Sequence, residues 1–159
     1  MPSFVAPSVV PVIAGFLLAL LASVASIAFP SGISMAGIEG RWTAEGSDLV
    51  LDFTRCGERF CGQVVGAGGQ CGRTVLTLEA DAGGPPDGVA LNGKLESNGE
   101  ARLPKGVFQA SASIKRATEG GALQMKLWGY DPSIFRRTLP FQALLVRTGE
   151  PSCQPSPTS

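Results

Sequence analysis

Four cysteines carry most of the reactive chemistry in this sequence, and their spacing decides what kind. Cys56 and Cys61 stand in the stretch RCGERFCG, Cys71 follows soon after, and Cys153 lies near the carboxy terminus. Structural zinc knuckles and dithiol redox sites both use C-x2-C pairs, and the sequence contains none. An even count in a small domain reads instead as two disulfides, for which three pairings are open. The stretch RCGERFCG lies between two strand-like runs, so a hairpin would bring Cys56 to Cys61, leaving Cys71 to tie the tail at Cys153. Closing the long loop would stabilise the fold by about 4 kcal/mol through the unfolded chain, and closing the short one by about 2 kcal/mol.

Catalytic groups are harder to assemble. The chain has 0 histidines, which removes Ser-His-Asp and Cys-His nucleophile systems, the usual catalytic zinc sets and the commonest base at neutral pH. Carboxylates at Glu39, Glu45, Asp48, Asp52 and Glu58 leave a two-acid glycosidase open by composition, but no pattern pairs them. Asp48 and Asp52 share the outward parity of one strand and read as solvated surface charge. Gly66-Ala67-Gly68-Gly69 lacks the Gly-Lys-Ser/Thr ending of a phosphate loop and reads as a turn. The expectation is a protein that is not an enzyme, with no metal and no cofactor. The most distinctive cluster is Trp128-Gly129-Tyr130-Asp131-Pro132 with Phe135-Arg136-Arg137. Aromatics and arginines are enriched where proteins bind partners, and the competing reading is a hairpin loop packed on the rim of the fold.

Lys and Arg total 13 and Asp and Glu total 13, all from Glu39 onward. That balance gives an electrostatic case for neither nucleic acid nor an anionic membrane surface. The uncharged start has a different purpose. Residues 12–29, VIAGFLLALLASVASIAF, form an apolar run followed by Pro30, Gly32 and then Ser34-Met35-Ala36, the order of a secretory signal peptide with a mature start near Gly37. Ser26-Ile27-Ala28 is a second candidate cleavage site. No Lys or Arg precedes the run, and it is just long enough to span a bilayer, so an uncleaved anchor is the rival for residues 1–36. The mature domain has no membrane role unless that segment stays attached. A start at Met35 would instead make a cytosolic protein, the main rival to export, against which the cysteines speak.

The elements that must position these residues are strands. Leu49, Leu51 and Phe53 alternate with Asp48, Asp52 and Thr54; Phe108, Ala110, Ala112 and Ile114 alternate with Gln109, Ser111 and Ser113; Leu123, Met125 and Leu127 alternate with Gln124, Lys126 and Trp128. Further runs at 38–44, 60–66, 74–80, 88–95 and 138–147 bring the count to about eight, separated by glycine-rich turns. The prediction is an all-β domain over 37–153, an antiparallel up-and-down small barrel that is disulfide-tied; closure removes the two edges a flat sheet would expose. Small inward residues such as Ala110 and Ala112 either leave a cavity or pack under larger neighbours. Residues 154–159 read as a disordered tail.

Gly40-Arg41-Trp42, then Leu49 to Phe53, then Cys56-Gly57-Glu58-Arg59-Phe60-Cys61-Gly62-Gln63-Val64-Val65 resemble the exported bacterial proteins catalogued as domain of unknown function 2147. Leu123 to Tyr130, Arg136-Arg137-Thr138 and Arg147 are similar to that family's closing hairpin. Residues 67–106 lack the family's usual tryptophan-bearing segment, and Leu145 stands where a tryptophan is usual, which marks a distant member. The resemblance implies a lipocalin-like barrel of the bacterial periplasm and implies no reaction. It also implies a lipocalin-type closure by Gly40, Trp42 and Arg147, in which the arginine lies across the indole, a cation–π contact worth about 0.5 to 2 kcal/mol.

Three functions follow, in order. The first is a noncatalytic exported module that binds a small apolar or cell-envelope ligand in the barrel. The second is a periplasmic protein–protein module, such as a protease or lysozyme inhibitor, using the 128–137 loop. The third is an enzyme working through carboxylate or tyrosine chemistry.

Overall fold

Alternation of apolar and polar residues decides the strands, and their short links decide the topology. The computed structural model describes residues 32–118, 121–131 and 141–154. Eight strands form there: β1 (Gly40–Ala44), β2 (Val50–Cys56), β3 (Arg59–Val65), β4 (Cys71–Asp81), β5 (Gly88–Ser97), β6 (Gly106–Arg116), β7 (Leu123–Tyr130) and β8 (Phe141–Gly149). Each pairs antiparallel with the next, and β8 returns to pair with β1, so the sheet closes into the expected up-and-down barrel. The expected strand at 138–147 is β8 from Phe141 onward; residues 138–140 lie outside the described residues.

Register puts one parity of every strand inside. Trp42 faces Leu51, Phe53 faces Gly62, Leu78 faces Gly93, Leu91 faces Ala112, and Ile114 faces Met125. Apart from the glycines, these residues belong to one hydrophobic cluster in which Trp42, Leu51, Phe53, Phe60, Leu76, Leu78, Leu91, Leu95, Ile114, Met125 and Leu145 are all 0 % exposed. Ala110 and Ala112, buried in the same cluster, sit under those larger neighbours. Exposure this low leaves no space for a water molecule against the side chains, so this stretch of lumen is packed in the way of a small filled barrel.

The two barrel ends differ. At one end the helix α1 (Met35–Ile38), capped by Ser34 Oγ accepting from Gly37 N, lies across the strands. Ile33 and Ile38 are buried there in the barrel cluster. The other end carries the β1–β2, β3–β4 and β5–β6 connections, the last with a 3-10 turn at Glu100–Arg102. Both disulfides join the pairs favoured by the hairpin geometry, Cys56 with Cys61 and Cys71 with Cys153, and no described cysteine is free. Two disulfides fit an oxidising compartment. Among the described residues no helix is long and apolar enough to cross a membrane.

Candidate functional site

Closure, the carboxy-terminal tail and the outer walls each take up some of the residues singled out in the sequence. Gly40, Trp42 and Arg147 do meet at the α1 end. The Trp42 indole is fully buried and donates from Nε1 to Ile38 O at 3.0 Å. Arg147 donates from Nε and Nη2 to Glu39 O at 3.0 and 2.9 Å and pairs with Glu150 at 2.8 Å. A Cβ on Gly40 would lie 2.8 Å from Gly149 O and closer still to Arg147 Nε, so only glycine admits the guanidinium here. The arginine is thus held by a backbone carbonyl, and among the described residues the cation–π contact is Arg55 over Phe60, 5.4 Å from its centroid. These groups close the end and spend their polar atoms in doing so.

Past β8 the tail turns over the outside of the barrel and overturns the reading of Asp52 as solvated charge. Asp52 has outward parity, as expected, yet its side chain is 0 % exposed. Its Oδ1 accepts from Arg41 Nε at 2.8 Å; its Oδ2 accepts from Arg41 Nη2 at 2.9 Å, Ser152 N at 2.8 Å and Cys153 N at 2.9 Å. Arg41 also donates to Ser152 Oγ. Burial by itself raises the Asp52 pKa, but the Arg41 bonds and the Cys153 and Ser152 amides outweigh it and hold the carboxyl below its ordinary value. Cys153, 0 % exposed, then locks the strap to Cys71. Asp48, in contrast, is an exposed partner of Arg102 at 3.2 Å.

Glu100 does comparable work in the β5–β6 connection. It accepts from Arg73 Nε at 2.6 Å, Ser97 Oγ at 3.0 Å and Asn98 N at 2.6 Å. Burial opposes ionisation, and these bonds, with its own amide, override it and bring the pKa down to about 2. A general acid at neutral pH needs the opposite shift; Asp52 and Glu100 are structural anions. A groove of about 820 Å³ on this side includes Arg41, Asp48 and Glu100, but each of those charges already has its partner.

The wall formed by β6, β7 and β8 is organised differently. Register aligns three cross-strand rows on its outer face: Lys115–Gln124–Val146, Ser113–Lys126–Leu144 and Ser111–Trp128–Gln142. They frame a groove of about 490 Å³ lined by Ser113, Lys115, Gln124, Lys126, Trp128, Gln142 and Leu144. Among the described residues, no carboxylate lines it. None of its polar side chains makes a hydrogen bond or ion pair within the described residues. The exposed large hydrophobic residues described, Val107, Tyr130 and Leu144, also lie on the outer face of β6, β7 and β8, one on each strand.

Of the 128–137 cluster, Trp128 and Tyr130 therefore belong to this wall, half-buried and exposed respectively. Phe135, Arg136 and Arg137 lie outside the described residues. The sequence reading missed Lys115, Gln124, Lys126, Gln142 and Leu144 as companions of Trp128. A usable signal was present: the outward positions of these strands carry lysine, glutamine and serine and no acid. No protein family, no curated protein and no solved structure matches this chain.

Proposed function

We infer that the protein is a noncatalytic, exported binding module that holds a cell-envelope ligand on the outer β6–β8 wall. The observation that carries this reading is the groove itself, where an indole, two ammonium groups, two amides and a hydroxyl converge without partners among the described residues. Its size is within the usual range for small-molecule sites. The packed lumen supports an outside site over carriage of a small apolar ligand within the barrel. The noncatalytic part rests on the histidine-free chain, on cysteines consumed in disulfides and on carboxyls committed to structural bonds. Export to the bacterial periplasm or beyond is supported by the signal-like residues 12–29 together with the disulfides. Burial of Ile33 in the barrel favours cleavage at the upstream Ser26-Ile27-Ala28 site, which keeps it in the mature chain. The Gly40–Trp42–Arg147 closure and the Cys56–Cys61 hairpin support the reading as a distant member of the domain of unknown function 2147 group.

Native mass spectrometry of the protein as purified from an oxidising compartment tests this. A bound mass that dissociates on unfolding, and is lost in Lys115→Ala/Lys126→Ala, is the expected result; retention of that mass by the double variant would contradict an outer-wall site. A second reading, a protein–protein module, is favoured by exposed Val107 and Tyr130 beside the groove. Loss of a partner protein in Tyr130→Ala, with the groove lysines intact, would select it.

A further inference from the structure

Building on the outer-wall reading, we propose that the ligand is an anionic glycan, a carbohydrate chain carrying carboxylate or phosphate groups, laid across β7 with one sugar face on Trp128. Charge gives the first half. Lys115 and Lys126 point from adjacent rows of the wall, neither has an ion-pair partner among the described residues, and no described acid lines the groove to compete. Two ammonium groups without local neutralisation favour an anionic ligand through charge-assisted hydrogen bonds. On neighbouring strands the charges are cancelled: Arg59 on β3 pairs with Glu79 on β4, and Lys94 pairs with Glu96 on β5.

The rest of the lining gives the second half. The C–H face of a sugar ring is apolar and slightly positive, so it stacks on the negative face of an indole. Its hydroxyls need donors and acceptors at several heights, which amides and hydroxyls supply together. Gln142 flanks Trp128 directly across the ladder, Ser113 lies in the next row, and Gln124 lies in the row beyond that. Rows two residues apart along a strand are about 7 Å apart, and strands are about 4.8 Å apart, so the platform offers polar contacts beside the stacked ring and further ones along a chain of sugars laid over β7. An acidic peptide has a weaker claim. A closed barrel has no free strand edge for it to extend, so it would rely on side chains alone. An acyl chain would find Leu144 as the aliphatic side chain in a lining otherwise made of polar groups and one indole.

The chain has 2 tryptophans, and they serve as an internal control. Trp42 is 0 % exposed, so acrylamide quenching of the native protein reports Trp128. Titration of the purified, oxidised protein with a galacturonate hexamer should shield Trp128 and give a calorimetric isotherm. A neutral glucose hexamer should bind more weakly, and added salt should weaken the acidic one. Lys115→Gln/Lys126→Gln, at exposed positions, should cost roughly tenfold in affinity, and Trp128→Ala should abolish binding with the circular dichroism of the barrel retained. Equal affinity for hexaglutamate would overturn the glycan assignment in favour of charge alone. Binding confined to phosphatidylglycerol vesicles would overturn it in favour of a lipid surface. Failure of every glycan, with a copurifying mass still bound to the wall, would sink this inference and leave the binding-module reading standing. Failure of both would remove the two together.

Discussion

The two outer walls of the barrel treat their polar groups in opposite ways. On the β1–β3 side the tail lies over the sheet as a strap: Asp52 gathers Arg41 and two tail amides, and Cys153 anchors to Cys71. Buried oxygens at Thr54 and Gln63 are exceptions, having no partner in the structure. On the β6–β8 side, Lys115, Lys126, Gln124 and Gln142 have no partners within the described residues and surround a half-buried indole. Satisfied polar networks hold a fold together, whereas convergent unsatisfied ones are available to a ligand. The difference teaches that size alone is a poor guide here, since the larger groove, about 820 Å³, is the one whose charges are already neutralised.

If the strapped wall is the stabilising one, the deepest damage comes from cutting its anchor. Cys71→Ser/Cys153→Ser should lower unfolding stability by about 4 kcal/mol in urea denaturation, with the Trp128 groove unchanged in the folded fraction. Asp52→Asn should follow at about 3 kcal/mol, because it leaves the partly buried Arg41 without a charge partner and weakens acceptance from two amides.

Asp52 on that wall and Glu100 in the β5–β6 connection set the acid response. Asp52 and Glu100 both have folded-state pKa values below their unfolded ones. Their contribution is therefore complete above the unfolded value, 4.5 for Glu100, and is lost as pH falls toward its folded value of about 2. Thermal denaturation across that window should fall less steeply in Asp52→Asn than in the wild type; parallel curves would contradict the role given to Asp52.

Gly40→Ala sharpens the contrast at the closed end. Its methyl group would displace Arg147 from the Glu39 carbonyl, at a cost of about 2 kcal/mol by overpacking. Smallest of all should be Lys115→Ala/Lys126→Ala, within about 0.5 kcal/mol per site of the wild type while ligand retention is lost. Equal stability losses on the two walls would erase the distinction drawn between them.

The barrel was legible because its signal is local. Leu49, Leu51 and Phe53 alternate with polar neighbours over a few residues, and a closed sheet has one buried face to satisfy. The disulfide pairing was legible for the same reason at Cys56 and Cys61, where a turn fixes the approach. Asp52 was misread because its cover arrives from Ser152 and Cys153, far along the chain, and strand parity cannot register a strap on the outer face. Its trace lies in β3, where outward Cys61, Gln63 and Val65 are as buried as their inward neighbours. The Trp128 groove was half visible. Trp128 and Lys126 sit on one short run, but placing Lys115, Gln142 and Leu144 beside them requires the register of three strands, set by pairing rather than by composition.

The central claim is that ligand binds outside the barrel and leaves the lumen untouched. The two indole N–H resonances in a proton–nitrogen correlation spectrum test it directly, recorded while a soluble cell-envelope extract is titrated into the labelled protein. The Trp128 resonance should shift together with amides of β6, β7 and β8, and the Trp42 resonance, whose donor is held by Ile38 O, should stay in place. Movement of Trp42 with the inward-facing residues, and none at Trp128, would put the ligand in the lumen and contradict the account.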